Sequence, residues 1–145
     1  TSYRPFGGPI QIASNALESL KRIDQAVYES ILSKATSIGT RRNGFKDGLS
    51  NEWFVTLDLD APARKRGQAS TVVIDRPVLQ EILLAGLGAG SVSNGCEVTG
   101  YVKQQYASPG SSVTGLLSNG SRIECDLLIG ADGIHSKVRA QLVPK

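Results

Sequence analysis

The sequence predicts an α/β fold with a β-rich excursion, and three observations carry that expectation. Stretches of helical periodicity alternate with β-branched runs along the chain. A continuous apolar run, Leu127-Leu128-Ile129, breaks into Gly130-Ala131-Asp132-Gly133 and then into a helical block, which is the order strand, tight turn, helix. The segment from Trp53 to Ile74 is rich in strand pattern. With 145 residues, 40% of them hydrophobic, the chain is long enough for one domain with an ordinary core.

The elements follow in order. Asn15 with Glu18 three residues later has the pattern of a capping box, and Leu17, Leu20, Val27 and Ile31 return to one helical face. Asp24 is placed to cap a second helix within this stretch, and Gly39 to end it. Residues 41–50 read as a loop or short strand, with Asn43-Gly44 and Asp47-Gly48 as turn signals. Trp53, Val55, Leu57 and Leu59 then alternate with Phe54, Thr56 and Asp58, the period of a half-buried strand. Residues 61–69 read as a charged loop.

Thr71 to Ile74 is a β-branched strand, and Asp75-Arg76-Pro77 opens a helix on which Val78, Leu79, Ile82, Leu83 and Leu87 share a face. The cluster Gly86-Leu87-Gly88-Ala89-Gly90 closes that helix. A dinucleotide loop would have to follow a strand and open a helix, so this cluster reads as a stop. Residues 97–104 and 113–117 read as strands, and Asn119-Gly120 as a two-residue turn into a third strand over 122–129. The apolar run at its end suits a strand buried on both faces, as in a parallel sheet. Ser136 is placed to cap a helix running through Lys137, Val138, Arg139, Ala140 and Leu142.

A glycine turn that opens a helix presents free N–H groups to an anion, so a phosphate or pyrophosphate fits residues 130–136. A corner with glycines for geometry alone fits them equally well. Asp132 repels a phosphate and therefore either holds the turn or accepts from a ribose or ribityl hydroxyl. Arg76, at a strand-to-helix junction, reaches a phosphate or joins a surface ion pair. His135, the single histidine, has no catalytic constellation to join and reads as a turn residue. Trp53 reads as packing, though a strand carrying Trp53-Phe54 also suits the wall of an apolar cavity.

Other classes find little support. The formal charge is +3, and the clusters Arg41-Arg42 and Arg64-Lys65-Arg66 lack the interleaved aromatics of a nucleic-acid surface. Cys96 and Cys125 lack metal-ligand spacing and read as free thiols. No apolar run is long enough to cross a bilayer, and no signal or transit peptide is visible. A chain that starts at Thr1 and contains no Met reads as a segment of something longer, and no first nucleotide-binding βαβ unit is found in it.

At these residues the chain resembles a known family. "IGADGIHSKVR" is similar to the Asp-Gly motif of the flavin-dependent aromatic hydroxylases, the para-hydroxybenzoate hydroxylase-like monooxygenases, and "VIDRPVLQEIL" to the arginine-led helix of that family. The stretches "YRPFGGPIQIASNALESLKRID" and "RRNGFKDGLSNEWFVTLDLDAPARKRGQASTVVIDRPVLQEIL" are more specific, and narrow the resemblance to a plant and algal branch acting on xanthophylls. Two departures stand out. Pro5-Phe6-Gly7 intervene where that branch has Gly-Pro-Ile directly after Tyr-Arg, and His135 replaces an aromatic.

The resemblance implies that residues 1–145 form part of a Rossmann-like FAD-binding domain, with 41–74 contributing to a substrate-binding sheet. The family's amino-terminal glycine fingerprint and later Gly-Asp motif are not in the chain. FAD and NADPH are the implied cofactors, and Arg76, Gln80, Val98, Asp132 and Gly133 the implied cofactor-binding residues. The cofactor carries the hard chemistry, so no catalytic side chain and no metal are called for. The implied partner is a small apolar molecule, a xanthophyll, with peripheral association to the thylakoid membrane and a plastid location. Two rivals are a sibling enzyme hydroxylating a small aromatic, and a non-catalytic module that binds no flavin.

Overall fold

The computed structural model describes residues 7–39, 41–103 and 113–143. The chain forms two compact units, Thr1–Ala89 and Gly90–Lys145. In the first unit, β1 (Pro9–Ile12) leads into α1 (Ser14–Ile23) and α2 (Gln25–Lys34). There follow β2 (Thr36–Ser37), a hairpin of β3 (Asn43–Lys46) and β4 (Trp53–Leu57), the short α3 (Ala61–Lys65), β5 (Val72–Asp75) and α4 (Arg76–Ala85). β5 is the central strand of the sheet β1-β5-β2 and runs antiparallel to both neighbours, with Ile12 opposite Val72 and Thr36 opposite Val73.

The core lies where this sheet meets its helices. Leu17 and Ile31 are wholly buried, and Ile12, Val72, Ile74 and Ile82 complete the cluster, with Leu20, Val27, Val78 and Leu79 packed against it. The helical stripe expected through Leu17 and Ile31 is therefore a buried stripe. On α4 the expected face is narrower: Leu83 is exposed, and exposed Leu87 lies beyond the last helical residue. Residues 41–74 do not form one body in the chain. Val72 to Ile74 stand in the middle of the core sheet, while the β3–β4 hairpin is inserted between β2 and β5.

The capping box at Asn15 does not form. Helix α1 already begins at Ser14 after Ala13, so Asn15 has helical backbone and its carbonyl accepts from the Ser19 hydroxyl. Glu18 pairs instead with Arg22, one turn on. Asp24 caps α2 as expected, its carboxylate accepting from the amides of Ala26 at 2.8 Å and Val27 at 3.0 Å. Helix α2 ends at Lys34, ahead of Gly39, because the chain turns directly into β2. Asn43-Gly44 lies inside β3, and the hairpin turn falls at Asp47, whose carboxylate accepts from Leu49 and Ser50. The expected loop over 61–69 contains helix α3, with Pro62 in its first turn and Ala63 buried.

In the second unit, β6 (Val98–Lys103), β7 (Val113–Leu117) and β8 (Arg122–Cys125) form an antiparallel meander, followed by α5 (Lys137–Leu142). Asn119-Gly120 makes the turn between β7 and β8, and the Asn119 side chain accepts from the Ser121 amide. The strand expected over 122–129 stops at Cys125. Leu127 and Ile129 are 72% and 74% exposed, so this apolar run is not buried on both faces. The reason is pairing. Every strand pair among the described residues is antiparallel, and no described strand runs beside 127–129 to take its backbone groups. Helix α5 reaches back to the meander through Gln141, whose side-chain amide accepts from the Tyr101 N–H at 2.9 Å and donates to the Tyr101 carbonyl at 2.6 Å. One side chain thus stands in for a neighbouring strand at the free edge of β6.

Candidate functional site

The turn that opens α5 is built by short-range bonds. Ser136 is buried, and its hydroxyl accepts from the Arg139 amide at 3.0 Å, the N-cap expected from the sequence. Asp132 adds a second cap, its carboxylate accepting from the Lys137 amide at 2.7 Å. The Arg139 guanidinium donates to the Ile134 carbonyl and closes the loop from the other side. The Ser136 hydroxyl above all, with the amides of Lys137, Asp132 itself and Val138, holds the Asp132 carboxyl below its ordinary range, against desolvation, which is the second-largest influence and acts the other way. Of the two roles the sequence left to Asp132, holding the turn is the one its bonds serve.

The two glycines of the motif do different work. A β-carbon on Gly130 would stand 2.8 Å from the Val138 Cβ, so this glycine lets the turn lie directly on α5. Gly133 has φ of +80°, and no atom lies within 4 Å of where its β-carbon would be. It provides a backbone conformation that L side chains rarely adopt and leaves its surface open to a ligand.

A cavity of about 470 Å³ lies in this unit beside the turn, lined by Cys96, Val98, Gly130, Asp132, His135 and Lys137 among others. Val98 and Asp132, distant in sequence, meet there; Gly133 is not among the lining residues. His135 and Lys137 line it too, and neither was singled out as a cofactor contact. For Lys137 the signal was present, since it directly follows the Ser136 cap. Cys96 is exposed and Cys125 half-buried, both free thiols.

Arg76 and Gln80 belong to the first unit. They lie one turn apart on α4 and so share a helix face. Arg76 is exposed and takes no part in the two ion pairs found among the described residues, Arg22–Glu18 and Arg64–Asp60. Trp53 is half-buried at the hairpin, with the Lys46 ammonium 5.3 Å and the Arg42 guanidinium 5.7 Å from its ring. Neighbouring Phe54 is 73% exposed.

An arginine outside the ion pairs of the described residues, a glycine turn open to a ligand and an α/β scaffold agree with what comparison finds. The chain matches the FAD binding domain family over residues 19–144 and belongs to that family. Among its curated relatives are the chloroplastic zeaxanthin epoxidases of Arabidopsis thaliana, 44% identical over 137 residues, and of Oryza sativa subsp. japonica, 42% identical over 137 residues. Each alignment takes in 94% of this chain and 20% of the relative, so the chain spans about a fifth of their length. Among solved structures, Klebsiella pneumoniae HpxO complexed with FAD and uric acid matches with a TM-score of 0.72 at 27% identity, over 94% of this chain and 32% of that one. The tetrameric form of 2-methyl-3-hydroxypyridine-5-carboxylic acid oxygenase shares the fold, with a TM-score of 0.66 at 23% identity over 98% of this chain and 33% of that one. The α/β class and the resemblance read from the sequence are both borne out.

Proposed function

We propose that this chain is the cofactor-facing part of an FAD-dependent, NAD(P)H-using monooxygenase that epoxidises zeaxanthin to antheraxanthin and violaxanthin. The observation that carries the reading is its 42–44% identity, along 94% of its length, to proteins named chloroplastic zeaxanthin epoxidase. The same relatives support a plastid location and an apolar carotenoid substrate. Peripheral association with the thylakoid membrane follows from that substrate; no described helix is long and apolar enough to cross a membrane.

The chain's residues fit FAD. Arg76 neutralises a phosphate, and Gln80 on the same helix face adds a polar group beside it. Val98 offers backbone at the start of β6, and Gly133 leaves open the space a side chain would fill. Asp132 acts one step back, by fixing the turn. When bound, FAD supplies the activation of O₂, with reducing equivalents drawn from NADPH. The protein's own part is to bind, orient and keep water out. Phe45 and Val55, opposite each other in the β3–β4 hairpin, and Leu57 two residues on are exposed and suit one wall for a long polyene.

A second reading, hydroxylation of a small ring by a sibling enzyme, draws on the fold match to HpxO with its FAD and uric acid. Incubation of the whole purified protein with zeaxanthin, NADPH and O₂, followed by mass spectrometry of the carotenoids, separates the two. Products carrying one and two added oxygen atoms are expected. Oxygenation of small aromatics with zeaxanthin untouched would favour the second reading, and a colourless protein without flavin absorbance would remove both.

A further inference from the structure

We propose that Gly7 is a positioning residue for Arg76, a side-chain-free surface against which the arginine stem lies, so that the exposed guanidinium is held ready for the cofactor phosphate. The inference rests on the reading of Arg76 as a phosphate-binding residue. It starts from register. β1 runs antiparallel to β5 with Pro9 opposite Asp75, so the residues just before β1 are carried over the start of α4, where Arg76 is the first helical residue. A β-carbon on Gly7 would stand 2.8 Å from the Arg76 Cδ, 3.3 Å from its Cβ and 3.5 Å from its Cγ. No side chain fits there unless the arginine moves.

The backbone of Gly7 agrees, with φ of +144°, whereas a β-carbon on neighbouring Gly8 would meet nothing within 4 Å. The contact is therefore local to one glycine. Gly7 also lies in the Pro5-Phe6-Gly7 insertion that sets this chain apart from the pattern it resembles. A long, flexible arginine loses rotamer freedom when it grips a phosphate, and a stem already packed before the ligand arrives has less to lose.

The test is a double-mutant cycle on FAD affinity in the whole protein, with apoprotein melting measured beside it. Arg76→Ala is expected to weaken FAD by roughly tenfold to a hundredfold. Gly7→Ala is expected to weaken it by about tenfold, and to add nothing once Arg76 is already alanine. Gly8→Ala, the control, is expected to leave FAD affinity unchanged. Unchanged affinity in Arg76→Ala would remove the reading of Arg76 and this inference with it. A weakened Arg76→Ala beside an unchanged Gly7→Ala would overturn the inference alone. So would full additivity of the two substitutions, or loss of the folded apoprotein in Gly7→Ala, since either would mean that Gly7 serves the fold and does not act through Arg76.

Discussion

The core sheet β1-β5-β2, built on β-branched residues, and the β3–β4 hairpin, built on aromatic and β-branched ones, are both antiparallel and adjacent in sequence, yet they spend their apolar side chains in opposite ways. In the sheet, Val72 and Ile74 are each 3% exposed beneath the helices that carry Leu17, Ile31 and Ile82. In the hairpin, Phe54 is 73% and Phe45 67% exposed, on strands of equal or greater length. The difference is a matter of cover. Alternation specifies which residues share a face but not what lies on that face, and among the described residues the core helices pack on the sheet and not on the hairpin.

The largest expected effect follows from this contrast. Leu17→Ala or Ile31→Ala removes a fully buried side chain and is expected to cost about 2–5 kcal/mol of the first unit's stability in urea unfolding. Phe54→Ala in the same 145-residue chain is expected to change it by less than ~0.5 kcal/mol, because little of that ring is out of water. A hairpin substitution as costly as a core one would break the comparison.

The free edge of β6 tests the same idea with backbone groups in place of apolar ones. Gln141→Ala leaves the Tyr101 N–H and carbonyl without the amide that bonds both, at an expected cost of about 1–3 kcal/mol. Concentration-dependent association is expected to accompany it, since an unpaired strand edge recruits other strands. Gln141→Glu keeps the acceptor and loses the donor, and should fall between the two in light scattering and chemical denaturation.

Smaller still is the cap between α1 and α2. Asp24→Ala removes two amide partners and is expected to lower stability by about 1 kcal/mol, with Asp24→Ser recovering most of it. The smallest effect is a pH dependence in the turn that opens α5. Because the Asp132 carboxyl is held below its ordinary value of 3.8 in the folded state, its stabilisation is fully present above that value and is lost as pH falls through the lower, folded one. Asp132→Asn is therefore expected to melt below the wild type near neutral pH and to converge with it in strongly acid solution. Two melting curves that stay parallel across that range would show that the carboxylate contributes nothing to the turn.

Much of this was legible in the sequence. The side-chain oxygens of Asp24 and Ser136 lie just before helical blocks and cap them, because a cap needs only the amides two or three residues ahead. The Asn119-Gly120 turn is equally local. Asn15 shows the limit: its spacing to Glu18 fits a box, but the helix starts two residues too early for it, and where a helix starts is decided by packing. The run Leu127-Leu128-Ile129 shows the same limit for strands, since an apolar sequence becomes a buried strand only beside another strand that takes its backbone bonds.

The candidate site divides along the same line. Gly133, Ser136 and Arg76 announced themselves through glycine, cap and proline punctuation, which act over a few residues. The meeting of Val98 with Asp132 at one cavity, the Gln141 amide on Tyr101 forty residues away, and the Gly7 backbone against the Arg76 stem were decided only by tertiary structure. The sequence by itself determined the α/β class, the caps at Asp24 and Ser136 and the turn at Asn119-Gly120, because those depend on hydrogen bonds and periodicity within one or two turns of chain. Which face is covered and which residues meet across the chain depend on contacts between distant segments, and those exist only once the chain has closed on itself.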